Sequence, residues 1–333
     1  MESSEWSDVT PISLNDGDNP PFRINYSDEY REVLGYIRAS LASGERSDRV
    51  LRLTASAIQL NPANYTVWSL RRECLFFLGC NLAQELDWLL DVVKEKGCWK
   101  NYQVWQHRRV VVNRLGDASR EASFTEAAFE DDKKNYHAWA HRQWVVRNFC
   151  GSDEMLWGSE LAFTLELLRT DVRNNSAWNH RWFVLTKGGG APAAIPIFRR
   201  PSPDAIQCEV QFTVNALRRA TRNESAWSHL RAVALLASLM KQEEVGQGAP
   251  SEGFMSALSS PTAPGWTLWP GVLDFCRECT GAQSDGRMNS YPLEVLAEEA
   301  VARGKVGEAN DFFLAAAEAE PVRKQYWHSR VIS

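Results

Sequence analysis

Apolar residues recur along this chain at helical spacing, and the whole pattern then repeats. Val50, Leu53, Ala57 and Ile58 fall on one helical face. Leu86, Leu89, Leu90 and Val93 do the same, as do Leu161, Leu165, Leu168 and Val172, and then Val210, Val214 and Leu217. After each stripe comes a short polar link and a second run that opens on Asn and carries Trp four places later. The fullest copies are Asn101 with Trp105, His107 and Arg108, and Asn135 with Trp139, His141 and Arg142. Asn64, Trp68 and Arg71 fit the frame upstream; Asn174, Trp178, His180 and Arg181 fit it downstream. Asn223, Trp227 and His229 follow with the Arg displaced to Arg231, and a worn copy, Trp327 with Arg330, closes the chain. Stripe and frame together predict a helical hairpin. The Asn would cap the second helix, and the Trp, one turn in, would share a face with the Arg.

Successive Trp residues of the first five copies lie 37, 34, 39 and 49 apart. A period of this size marks a helical solenoid, whose units bury their apolar faces only against one another. An array needs the same packing at every seam, so the recurring Trp, His and Arg are expected to be structural. A further helical pattern begins after Ser27, with Asp28 and Glu29 suiting a first turn and Tyr30, Val33, Leu34 and Ile37 on one face. Beyond Pro270 the Trp frame fades, but Val272 to Cys276, Leu293 to Ala300 and Phe312 to Ala316 leave room for about two more hairpins. The fold expected is all-α, an α–α superhelix of about seven stacked hairpins. Residues 1–24 read as a flexible polar lead-in and 25–333 as a single helical-repeat domain, with Gly/Pro-rich surface loops near 186–205 and 246–270.

Composition narrows the function. The chain has 333 residues, 44% hydrophobic content and 14 Trp, ample for a large core. A net charge of −5 argues against a protein built for nucleic acid or anionic membrane. Seven Cys, an odd number, suit a reducing, cytoplasmic setting. Cys276 and Cys279 form one Cys-x-x-Cys pair inside an apolar helical run, which suits packing better than a zinc site that wants four ligands. The acidic N-terminus is no signal peptide, and no apolar run approaches a membrane span. The last residues, Arg330 to Ser333, contain no Cys, so the chain is not expected to be prenylated itself.

No phosphate loop, paired-His metal motif or set nucleophile is present in the sequence. The repeats instead offer a row of helix N-termini, each preceded by a cation: Lys100, Lys133 with Lys134, Arg173 and Arg222. Such an edge suits an anion, and a diphosphate in particular, although solvated loop cations have the same pattern. Beside two of these cations stand Tyr102, Gln103, Tyr136 and His137. The same frame places elsewhere hold Tyr65 and Thr66, Asn175 and Ser176, or Glu224 and Ser225. Positions that vary inside a fixed frame are where a solenoid carries recognition.

Taken in order, these words resemble a known family. Lys100-Asn101-Tyr102-Gln103-Val104-Trp105 with His107-Arg108-Arg109-Val110, and Lys134-Asn135-Tyr136-His137-Ala138-Trp139 with His141-Arg142-Gln143-Trp144-Val145, are similar to the α subunit shared by protein farnesyltransferase and protein geranylgeranyltransferase type I. So are Asp171 to Ser176, Asn223 to Trp227 and Ala63 to Trp68, and the lead-in Asn15-Asp16-Gly17, Asn19-Pro20 and Tyr26-Ser27-Asp28. The likeness is strong over roughly residues 8 to 235 and weak beyond. It implies a crescent of tetratricopeptide-like prenyltransferase α-subunit repeats wrapped around a β subunit. That partner would hold the zinc and most of the isoprenoid pocket, with magnesium a further expectation beside the diphosphate. The implied reaction moves a farnesyl or geranylgeranyl group from its diphosphate to the cysteine thiol of a C-terminal CaaX motif. The α chain alone would be inactive.

Residue by residue, the resemblance gives Lys100 the leaving diphosphate and Gln103 the peptide's terminal carboxylate. Tyr102 would line the substrate cleft. Tyr136, His137 and Asn135 would lie near the diphosphate and prenyl chain, with Tyr136 counted beside Lys100 as catalytic. Lys134 shares the frame position of Lys100 but acquires no role. The chain departs from the family in its Gly/Pro-rich loops and in the Cys- and Gly-rich segment Pro270 to Asn289. Two rivals stand beside this expectation. One is the α subunit of Rab geranylgeranyltransferase, which usually carries further domains. The other is a non-catalytic tetratricopeptide-like scaffold, whose Trp-x-x-Leu-Gly-x-x-Tyr pattern none of these units shows.

Overall fold

A computed structural model describes residues 5–14, 24–151, 154–187, 201–244, 265–281 and 288–332. Most of the two expected loops, at 188–200 and 245–264, lies outside the described residues. Among those described there are fifteen α-helices and no strand, so the all-α expectation holds. The chain divides into two compact units, Met1–Phe149 and Cys150–Ser333.

In the first unit, α1 (Asp28–Ser43) precedes three hairpins: α2 (Asp48–Leu60) with α3 (Tyr65–Leu78), α4 (Leu82–Lys96) with α5 (Tyr102–Leu115), and α6 (Glu121–Asp131) with α7 (Tyr136–Phe149). Ser27 caps α1, its Oγ accepting from the N–H of Tyr30 at 3.2 Å. The frame works as its spacing predicts. Asn64, Asn101 and Asn135 cap α3, α5 and α7, their Oδ1 atoms accepting from the N–H two residues on at 3.1, 2.8 and 3.0 Å. The indoles of Trp68, Trp105 and Trp139 are buried. Each Nε1–H donates to the carbonyl six residues back, on Pro62, Trp99 and Lys133, at 2.8, 2.7 and 2.9 Å. Asn and Trp therefore clamp the link before each second helix from both ends. Gly116, at φ 73°, ends α5 in the left-handed conformation that a residue with Cβ adopts only with strain.

Part of the lead-in expected to be flexible is docked. Trp6 is buried, its ring 5.1 Å from Tyr36, with the Arg49 guanidinium 4.8 Å above it. Asp8 pairs with Arg49 at 2.7 Å, and the Ile12 N–H donates to the Gly35 carbonyl at 3.0 Å. A Cβ at Gly35 would lie 2.9 Å from Pro11 Cβ, so this mid-helix glycine is what lets the segment approach. None of these contacts is periodic, which is why a search for repeats passes over them.

The second unit contains α8 (Glu154–Thr170) with α9 (Asn175–Lys187) and α10 (Pro203–Arg219) with α11 (Glu224–Glu244). Then come α12 (Pro270–Cys279) with α13 (Ser290–Ala302), and α14 (Val306–Ala319) with α15 (Lys324–Arg330). The frame outlives its Trp. Asn289 caps α13 through the Tyr291 N–H at 3.2 Å, with Leu293 in the place of the Trp and buried. Trp266, expected in a surface loop, is instead buried, and its Nε1 donates to Glu298 Oε2 at 3.2 Å. Cys276 and Cys279 are buried on α12, and burial pushes both thiols above their ordinary value, as packing residues require. No helix of the described residues is long and apolar enough to cross a membrane.

Candidate functional site

The recurring His and Arg are consumed inside the fold. Arg71 donates from Nε and Nη2 to the two carboxylate oxygens of Glu85, both at 2.7 Å. His107, from the next hairpin, reaches Glu85 Oε1 at 2.8 Å. Arg108 and His141 meet on Glu121 in the same way, at 2.8 and 2.6 Å. In the second unit, Arg181 and His229 meet on Glu209, both at 2.7 Å. Arg71 and Arg181 also donate to a threonine of their own hairpins, Thr54 at 3.2 Å and Thr164 at 3.1 Å. Burial pushes Glu85 up, but its bonds to His107 and Arg71 outweigh that and leave it below the usual carboxylate range. The same balance takes Glu209 down to about 2. Burial holds His107 below its ordinary value against the pull of Glu85. Its Nδ1 is buried with no hydrogen-bond partner among the described residues, which favours the neutral ring with its proton on Nε2. Every member of this lattice is structural.

The acids are what sequence reasoning missed. Glu85 lies 22 residues before its histidine, and Glu121, Glu160 and Glu209 each lie 20 before theirs. That interval was legible in the chain, but a search for apolar stripes passes over a buried carboxylate.

A different set of side chains faces outward where α5 and α7 begin. Tyr102 and Tyr136 are 69% and 72% exposed, although their helices bury the Trp three residues on. Between them lies His137, its ring 4.3 Å from Tyr102 and edge-on, and 5.6 Å from Tyr136. His137 also bonds the Lys100 backbone; burial, its larger influence, holds the imidazole below its ordinary value. The ammonium of Lys100 reaches Asp132 Oδ2 at 3.0 Å. That hydrogen bond and the charge behind it raise the lysine's pKa, so it stays cationic. Gln103 is half-buried at the same helix start.

Asn135 does not join this set. It is 2% exposed; its Oδ1 caps α7 and its Nδ2 donates to the Trp99 carbonyl at 3.0 Å. The Trp99 carbonyl thus ties the start of α5 to the start of α7, and Asn135 holds Tyr136 and His137 in place from behind. Both groups of its amide are thus used within the fold. Five of the six expected site residues therefore share one edge: Lys100, Tyr102, Gln103, Tyr136 and His137. That edge is an open surface. A cavity of about 750 Å³ lies elsewhere, lined by Pro11, Leu14, Tyr26, Arg31 and Arg38 among others.

Capped hairpins locked by an Arg–Glu–His lattice define an α-helical repeat protein, with an exposed lysine and two exposed tyrosines along one edge at the helix starts. The protein prenyltransferase alpha subunit repeat matches five segments, residues 47–78, 82–115, 118–149, 157–188 and 206–236. The chain belongs to the protein prenyltransferase α-subunit family. It is 37% identical over 121 residues to the protein farnesyltransferase/geranylgeranyltransferase type-1 subunit alpha of Schizosaccharomyces pombe, covering 36% of this chain and 40% of that one. The protein of the same name from Candida albicans is 33% identical over 153 residues, covering 44% and 49%. The one from Pisum sativum is 51% identical over 85 residues, covering 26% of each. The matched part thus spans less than half the length of these relatives. A Candida albicans protein geranylgeranyltransferase-I complexed with GGPP has the same fold, with a TM-score of 0.75 at 24% identity over 99% of each chain.

Proposed function

We propose that the chain is the α subunit of a heterodimeric CaaX protein prenyltransferase, active in the cytoplasm. The enzyme would transfer a farnesyl or geranylgeranyl group from its diphosphate to a C-terminal CaaX cysteine. The observation that carries the proposal is the exposed ammonium of Lys100, paired with Asp132 at the edge where Tyr102 and Tyr136 face outward. Bond formation between the cysteine thiolate and C1 of the prenyl chain breaks the C1–O bond, and diphosphate departs with the electron pair. Negative charge grows on the bridging oxygen as that bond lengthens. A lysine reaching it stabilises the transition state more than the bound substrate, and so raises the rate of the chemical step. Tyr136 and His137 offer hydrogen-bonding groups beside that oxygen, Tyr102 a wall for the substrate, and Gln103 a donor for the peptide's terminal carboxylate.

Among the described residues, no group of three or more His, Cys, Asp or Glu is arranged to hold a metal ion. On this proposal zinc is held by the β subunit, where it would supply the acidity that makes the thiol a thiolate; magnesium would accompany the diphosphate. The open edge suits a cleft that a second protein completes. Co-expression with a β subunit tests the proposal. A stable 1:1 complex that consumes prenyl diphosphate and CaaX peptide is expected, with neither chain active alone. Turnover by the single chain would overturn the division of labour.

A further inference from the structure

Lys100 carries its charge at the end of a flexible four-carbon stem, and its side chain is 69% exposed. Left to itself such a group samples many rotamers, and few of them aim at one oxygen. Here its far end is held by Asp132. That carboxylate is fixed in turn, for Oδ1 accepts from the Lys134 N–H at 2.8 Å and the Asp132 carbonyl accepts from the Asn135 N–H at 2.9 Å. Only Oδ2 is left to face Lys100. The frame does not demand an acid there. Asn61 and Asp171 hold the same place in other repeats and repeat the turn, their Oδ1 atoms accepting from the N–H two residues on at 3.0 and 2.9 Å. But Cys98 and Ala220 hold it too, and each accepts the same backbone bond, from Asn101 at 3.0 Å and from Asn223 at 3.1 Å. Nor does stability explain it, since an ion pair this exposed adds little. What the pair does is draw the ammonium of Lys100, the residue before the α5 cap, across to the turn that leads into α7, where Tyr136 and His137 stand. One of its three N–H donors is spent on Asp132, and two remain for an anion.

Taking Lys100 to act on the leaving diphosphate as proposed, we infer that Asp132 is the positioning residue that holds the Lys100 ammonium over the site. Asp132→Asn is the informative substitution. Its remaining oxygen can still accept from the Lys134 N–H and keep the turn, while an amide N–H2 replaces the acceptor that Lys100 uses. The αβ complex would be studied by single-turnover kinetics with geranylgeranyl diphosphate and a fluorescent CaaX peptide, in four forms: wild type, Asp132→Asn, Lys100→Ala and the double variant. Thermal melts would check that all four are folded. The expected result is a drop of about fivefold in the chemical rate for Asp132→Asn, about 1 kcal/mol of transition-state stabilisation, with peptide KM unchanged. The same substitution should do nothing further in the Lys100→Ala background, and Asp132→Glu should recover part of the rate. An equal loss in both backgrounds, or an Asp132→Asn enzyme as fast as wild type or faster, would overturn the positioning role. A Lys100→Ala enzyme at the wild-type rate would instead overturn the proposed role of the lysine itself.

Discussion

The imidazole of His107 lies 2.8 Å from the carboxylate of Glu85, and neither side chain is more than 4% exposed. The same Glu85 takes both prongs of Arg71 from the hairpin before, so one buried acid joins two successive repeats. Repetition of this joint explains why the Trp, His and Arg recur while their neighbours drift.

Removing an acid of the lattice should be costly. Glu121→Ala would leave Arg108 and His141 buried opposite nothing, and loss of one member of a buried pair typically costs about 3–5 kcal/mol. Thermal unfolding should show a large fall in Tm. Should the variant melt with the wild type, the lattice is not what holds the seams.

Acid should loosen the fold in two stages. Burial depresses His107 and His141 in the folded state, so the unfolded chain takes up their protons first. Stability is full above the ordinary histidine value, about 6.5, and declines as pH falls below it. Glu209 follows, because a carboxyl held at about 2 when folded and near 4.5 when unfolded loses its contribution across that interval. That contribution is on the order of 3 kcal/mol for a shift of this size. Denaturation curves between pH 8 and pH 3 should show the decline, and Glu209→Gln should flatten its lower part. A stability that rises on acidification would reverse both signs.

How far the sequence could be read depended on what each residue type advertises. Asn and Trp at fixed spacing have one economical explanation, and the cap and indole bonds at Asn101 and Trp105 bear it out. The amphipathic stripes give α2, α4, α8 and α10, but α6 had no clean stripe. Two of its five buried residues, Glu121 and Thr125, are polar, and they face the core because Arg108, His141 and Arg142 need them. At the edge, exposed Tyr102 and Tyr136 were legible as variable places in a constant frame. Asn135 was not separable from them, since the same residue serves as a cap in every repeat. Asp132 escaped notice because an acid in a polar turn reads as solvated until the lysine across from it is seen.

Asn135→Ala tests the structural role of that residue. Losing the α7 cap and the tie to the Trp99 carbonyl should lower stability by about 1–2 kcal/mol. Substrate affinities of the folded complex should change little. A large rise in prenyl diphosphate Kd with an unchanged Tm would return Asn135 to the binding surface.

Gln103 should matter to the peptide alone. Gln103→Ala is expected to raise the KM for a CaaX peptide by about tenfold, the worth of one hydrogen bond to a charged carboxylate. Prenyl diphosphate affinity should stay as it was. A peptide amidated at its C-terminus should show little difference between wild type and variant. If the amidated peptide discriminates as strongly as the free acid, Gln103 is not reading the carboxylate.

Lys100 and Lys134 occupy the same place in successive frames, and the proposed chemistry separates them. Lys100 is the one whose ammonium is held beside Asp132, with His137 bonded to its backbone. Deleting a group that meets charge only as it develops typically lowers the chemical rate on the order of 10²-fold. Prenyl diphosphate should still bind Lys100→Ala nearly as well, because the main contact forms as the C1–O bond breaks. Lys134→Ala removes a cation of equal charge from the neighbouring turn and should leave the rate near wild type. Were both substitutions to slow the reaction equally, a diffuse basic field would account for the edge and no single lysine would merit the leaving group.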